Sequence, residues 1–191
     1  MLHVIERATG RIVEVCAEGS DTSRFDGEGY LVVSDPAAHD PETERWDAEA
    51  GEWVGIPEAE LLAEAKVLTY KALSTDYASY LVQRGYDLAW RDAAREARGM
   101  FEEVLKSATA TDEQRAAAQK GLARINALRD WMMGTVRSYF QGKGRAIFAA
   151  ASMADLDAID WDFHQHDSTD PGVTLGAEIF PLLDQATGAA E

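Results

Sequence analysis

One cysteine, five prolines and only 18 lysines and arginines against 34 acids remove several classes of protein from consideration before any motif is read. With Cys16 alone no intramolecular disulfide can form. Nothing therefore points to an oxidising compartment, and the neighbours Ile12, Val13 and Val15 make Cys16 read as a small buried apolar residue on a strand. The formal net charge of −16 argues against sequence-independent binding to nucleic acid or to anionic lipid, because both need clustered Lys and Arg. No apolar run reaches the length of a membrane span, and no basic stretch followed by an apolar one opens the chain. Neither a span nor an export signal is expected, and synthesis in the cytosol is.

What is present is the composition of a folded protein, 46% apolar and 27% charged, over 191 residues that can form one domain or two small ones. The charge is unevenly spread. Residues 1–60 hold 15 acids and 4 bases, residues 61–150 hold 10 acids and 14 bases, and residues 151–191 hold 9 acids and no base. An acidic head and tail thus flank a mildly basic middle, which could favour salt-sensitive head-to-tail contacts within or between subunits. A solvated acidic surface that maintains solubility is the simpler reading.

The expected fold class is α+β. Leu2 to Arg7 and Arg11 to Ala17 read as a hairpin turned at Gly10, Tyr30 to Val33 as a third strand ended by Ser34-Asp35-Pro36, and Arg45-Trp46-Asp47 with Glu52-Trp53-Val54 as a smaller hairpin with paired tryptophans. At Pro57, a residue suited to a first helical turn, the period becomes helical. Leu61, Ala65, Leu68 and Ala72 make one stripe, and Tyr70, Leu73, Tyr77 and Leu81 a second, which predicts two neighbours for this helix. Gly85 reads as a stop, and Trp90, Ala94, Ala97, Phe101 and Val104 continue an apolar face. Thr111 and Gln114 form a capping box for a further helix, whose stripe of Ile125, Leu128, Met132, Val136 and Tyr139 runs to a stop at Gly142-Lys143-Gly144. Ser152 can cap a one- or two-turn helix. The tail from Asp160 is expected to be extended and docked, with a short helix near Ala177 and a frayed end from Gln185 to Glu191. The organisation is then a β-rich docking module over 1–56, an antiparallel helical hairpin or bundle over 57–151, and a short helix with an extended acidic tail over 152–191.

The densest candidate for chemistry is Asp160-Trp161-Asp162-Phe163-His164-Gln165-His166-Asp167. On an extended chain, alternation would put Asp160, Asp162, His164 and His166 on one side. His164 and His166 with Asp162 are acceptable ligands for zinc or another divalent transition ion, and a metal-dependent enzyme would centre there. A stable site needs three or four converging ligands, and His3 and His39 are the only further histidines, so a polar edge over docked Trp161 and Phe163 is the preferred reading. No Ser-His-Asp order or nucleophile elbow stands out, and Cys16 has no evident base beside it. Gly142-Lys143-Gly144-Arg145 lacks the spacing and the Ser or Thr of a phosphate loop. Tyr70, Tyr77, Tyr80 and Tyr86 read as core or subunit-interface residues. No catalytic residue, metal or cofactor is assigned.

Three stretches carry a resemblance. They are Tyr30-Leu31-Val32-Val33 with the two tryptophan strands, the long helical region after Pro57, and the run from Ile147 to Phe163 followed by Asp170-Pro171-Gly172-Val173-Thr174-Leu175. Together they resemble small tail-associated structural proteins of tailed bacteriophages. The resemblance implies a non-enzymatic component of a tail tip, baseplate or fibre attachment, partnered by other tail proteins and by copies of itself as a homo-oligomer. Such a chain would be made in the host cytoplasm and then carried in the virion. An assembly chaperone that binds a fibre protein transiently is the alternative. Collagen-like and β-helical repeats are missing, so an adaptor suits the chain better than a receptor-binding tip.

Overall fold

Three consecutive residues, His3, Val4 and Ile5, are buried in the middle of strand β1 (Leu2–Glu6), which marks a strand covered on both faces. It is central because β2 (Ile12–Cys16) and β3 (Tyr30–Ser34) pair with it on either side, both antiparallel, in the order β2-β1-β3. The first hairpin turns at Gly10 with φ +71, a left-handed conformation that costs glycine nothing. Gly10 is required for a second reason. Its carbonyl accepts from Trp46 N at 2.8 Å, and a Cβ there would lie 2.3 Å from the Trp46 carbonyl oxygen. Thus β4 (Glu44–Asp47) is held against that turn, and it pairs with β5 (Glu52–Gly55) through opposed Trp46 and Trp53, whose rings meet edge-on at 5.4 Å. The half-buried state of Cys16 corrects the expectation of a buried residue, because β2 is an edge strand: Val13 and Val15 are exposed on one face, and Ile12, Glu14 and Cys16 on the other are only half-covered.

A computed structural model describes residues 1–189 and divides into two units, Met1–Ala65 and the chain from Lys66 onward. In the first unit, the opening turns of α1 (Glu58–Gln83) are tied to the strands by ion pairs. Arg45 Nη1 donates to both Glu60 oxygens at 2.9 and 2.8 Å, and Arg11 Nη2 donates to Glu64 at 2.6 Å.

His3 is the one buried polar side chain of this unit among the described residues, and neither ring nitrogen has a hydrogen-bond partner. It sits edge-on to Trp53 and His39, with ring centres 5.2 and 5.4 Å away, while His39 stacks on Trp53 and lies between Asp35 and Glu44. Burial, then the neighbouring His39, holds the His3 pKa below its ordinary value. The folded state therefore keeps the ring neutral, whereas the unfolded chain titrates near about 6.5. Stability from this group is complete above that value and is lost as pH falls through it towards the lower folded pKa. Amide exchange at Val4 and Ile5 is expected to accelerate as pH, corrected for intrinsic exchange, falls below about 6.5. The His3→Leu variant should lose that slope without losing stability, since an unpaired buried imidazole is replaced by an apolar group.

In the second unit, α2 (Leu88–Lys106), α3 (Asp112–Asp130) and α6 (Phe180–Thr187) pack on one another. A Schellman ending at Gly85, with Tyr86 N donating to Leu81 O, separates α1 from α2, and Asp87 caps α2 through Trp90 N. The Thr111–Gln114 capping box opens α3 as expected. The helix does not stop at Gly142–Gly144. It continues from α3 through a π-helical turn, Trp131–Val136, into α4 (Arg137–Ala149). Gly144 is kept small for packing rather than for a stop, since a Cβ there would lie 2.9 Å from the Tyr70 ring. Only one of the two α1 stripes is covered. Leu73 and Leu81 are buried and Tyr70 and Tyr77 lie against Phe140, but Leu68 is 67% exposed, because the aromatic partners from α4 and from the C-terminal segment all lie on the tyrosine-bearing side.

The segment after α4 is docked as expected, but much of the stretch expected to be extended is coiled, in a 3₁₀ helix over Phe163–Thr169 and a π turn over Leu175–Ile179 that leads into α6. Ser152 caps α5 (Met153–Asp157), Phe163 is buried among Tyr77, Tyr80 and Tyr139, and Trp161 donates to Asp76. Asp167 accepts from the Tyr80 hydroxyl at 2.8 Å. Asp170, its side chain 1% exposed, accepts from Arg84 Nε at 2.9 Å, from the Tyr86 hydroxyl at 2.7 Å and from Gly172 N at 2.8 Å. Arg124 pairs with Glu178 and donates to the Pro171 carbonyl. Gln185 to Thr187, expected to fray, are the last residues of α6, which Gly188 ends at φ +77; the remainder of that stretch, Ala190 and Glu191, lies outside the described residues.

Candidate functional site

The most distinctive surface of the second unit is a groove of about 610 Å³ to which α1, α2, α3, the π turn and α4 all contribute. Its floor is apolar. Ala94 of α2 and Ile125 and Leu128 of α3 are buried core residues reaching it, and Tyr77, Trp90, Met132 and Phe140 widen it. Among the described residues its walls carry five arginines and no acid: Arg91, Arg95 and Arg98 on α2, Arg129 at the end of α3, and Arg137 at the start of α4.

Helical spacing explains how one surface acquires both properties. Arg91, Arg95 and Arg98 recur at intervals of four and three, so they form a row beside the Trp90, Ala94 and Ala97 face. On the other wall, the π turn inserts an extra residue and re-aims the helix. Trp131 and Val136 are both buried five residues apart, while Met132 and Met133 reach the groove between Arg129 and Arg137. Trp131 is anchored on its inner side by donating to Thr169 Oγ1 at 3.0 Å.

The electrostatics are those of an unfilled cationic rim. Arg95 pairs with Asp92 at 3.3 Å and Arg98 with Glu102 at 2.9 Å, both on their own helix. Among the described residues Arg91, Arg129 and Arg137 have no carboxylate partner. Arg137 instead approaches the Met133 sulfur at 3.6 Å. Burial pushes the Tyr77 phenol above its ordinary pKa, with Arg137 and Arg91 acting in the opposite direction, so Tyr77 stays a neutral donor on the groove floor. Apolar floor, hydrogen-bond donors and unpaired guanidinium groups together suit a ligand that is apolar on one side and anionic at its edges.

The segment singled out for metal chemistry is arranged differently from its expectation. Asp162 is extended, but its carboxylate accepts from His164 N at 2.8 Å and caps a 3₁₀ helix over Phe163–Thr169, which ends the alternation that would have aligned the side chains. Asp160 points to Lys143 at 3.6 Å. His164 lies 3.2 Å from Asp167 and edge-on to Tyr80, whereas His166 is edge-on to Tyr139 with a buried Nε2 that has no partner. Among the described residues no three His, Cys, Asp or Glu side chains converge as a ligand set. Asp162 and His164 do line a recess of about 200 Å³ with Asp76, Tyr80 and Trp161.

Composition hid the groove. Its arginines are offset by ten acids in residues 61–150, and only the facing of four helices separates the two signs. The spacing of Arg91, Arg95 and Arg98 beside an apolar face was the one available signal. The chain matches no protein-family model, no curated protein and no solved structure.

Proposed function

We propose that this chain is a docking adaptor that works by protein–protein assembly, and that its setting is a bacteriophage tail, at the tip, baseplate or fibre attachment. The observation that carries the docking role is the groove: a wide apolar floor between two arginine-bearing walls, on a chain whose overall charge is −16. Such a surface attracts acidic partners and disfavours nucleic acid in the same stroke, because outside the groove the chain is strongly acidic. The β module and the tail resemblance of its strands and closing segment support the setting. No helix is long and apolar enough to cross a membrane among the described residues.

The role makes a direct demand on purified particles. Mass spectrometry of virions produced by the genome that encodes the chain is expected to find it in stoichiometric amounts. Its presence in the infected lysate and absence from particles would replace the adaptor with a chaperone that binds a fibre protein and then leaves.

A further inference from the structure

We propose that the occupant of the groove is an acidic amphipathic helix of a partner protein, its apolar ridge seated on the floor and its Asp and Glu side chains paired with the arginines of the two walls. This rests on the docking role above and names its chemistry.

Three features select that occupant. The first is length. Arg91 and Arg98 lie seven steps apart on α2, about 10 Å at 1.5 Å per residue, so the cationic groups form a row and not a single cup. A compact inorganic anion would engage one guanidinium and gain nothing from the apolar floor. A helix carrying acids on successive turns matches the row. The second is charge complementarity. Among the described residues Arg91, Arg129 and Arg137 have no carboxylate partner and no acid lines the groove, and a guanidinium offers a carboxylate two parallel hydrogen bonds. The third is the floor. About 610 Å³ accommodates the anchor side chains of two helical turns, and Met132 and Met133 are unbranched residues that adapt to irregular apolar partners.

The test is a fluorescence-anisotropy titration of the full chain with a labelled, helix-forming designed peptide that carries Leu at i, i+4 and i+7 and Glu on both flanks. The same peptide with Lys in place of Glu, inorganic phosphate and dodecanoate are run beside it. The acidic peptide is expected to bind and to weaken as salt rises. The exposed Arg91→Glu/Arg137→Glu double variant should lower its affinity about tenfold or more, and Met133→Asp should lower it with both arginines intact. Circular dichroism checks that each variant stays folded. Equal binding of the Lys peptide, or no binding of the acidic one, overturns the proposal. Dodecanoate binding without peptide binding overturns it in favour of a small amphipathic anion. Salt-sensitive self-association of the chain alone, abolished by the same substitutions, overturns it in favour of a second copy. A chain found in particles that fails these titrations keeps the adaptor role and loses this occupant, so the two readings fail separately.

Discussion

Gly121→Val is expected to lower the stability of the helical unit by about 3 kcal/mol, the upper part of the usual range for overpacking a core. Gly121 lies where α3 crosses α2, and a Cβ built there would sit 2.3 Å from Cζ of Phe101 and 2.4 Å from its Cε2. Phe101 is fully buried, so its ring has no open space into which to retreat. The helices must part or the ring must leave its rotamer. Gly121→Ala should also destabilise, although alanine favours a helix over glycine by about 1 kcal/mol. Gly99, exposed on α2 with nothing within 4 Å of an added Cβ, should show the opposite sign on mutation to alanine. Chemical denaturation followed by circular dichroism measures all three. Combining Gly121→Ala with Phe101→Leu should cost less than the sum of the single changes, because the smaller side chain yields the space that the new methyl needs. Additivity would show that the two residues do not share the contact.

Asp170→Ala is expected to cost about 3–5 kcal/mol, the range for removing one member of a buried ion pair. The carboxylate accepts four hydrogen bonds, two from Arg84, one from the Tyr86 hydroxyl and one from Gly172 N. Its removal leaves the half-buried Arg84 guanidinium with only the more distant Asp167, 3.7 Å away, and the buried Tyr86 phenol without its acceptor. The same carboxylate raises the Arg84 pKa, and burial followed by the Asp170 bond raises that of Tyr86, so both partners are held protonated as donors. The loss should be localised. Hydrogen exchange is expected to rise first in residues 163–179, which this cluster holds to the C-terminal end of α1. Arg84→Met/Asp170→Leu should be milder than Asp170→Ala alone, because no charge is then left without a partner. Asp160→Ala, at a fully exposed carboxylate, should leave the stability unchanged. Equal effects at Asp160 and Asp170 would sink the account of a buried anchor.

Both predictions turn on contacts between residues far apart in sequence, and that is where reading the chain alone ran out. Local rules carried well. Gly10 required a left-handed turn, Thr111 and Gln114 could satisfy each other's backbone, Pro57 marked the change of period, and Gly85 ended a helix; each depends on a few adjacent residues. The α+β order of strands followed by helices was legible for the same reason. Glycine at 142 and 144 misled because the local rule for a stop competes with a packing demand from Tyr70, which lies in another helix. The His164 and His166 alternation failed because Asp162 closes a helical turn on itself, a local bond that overrides an extended chain.

The amino-acid sequence by itself determined the strands, the helix starts and most of the stops, the charge asymmetry along the chain, and the need for the apolar faces of the helices to find cover, since all of these depend on spacing and on chemistry within a few residues. Tertiary structure alone decided which faces were covered. It put Gly121 under Phe101, Asp170 between Arg84 and Tyr86, and five arginines around one apolar floor, because burial and charge pairing are properties of neighbours in space. The groove exists only once four helical segments are folded against one another, and so a basic surface could lie unseen in an acidic chain.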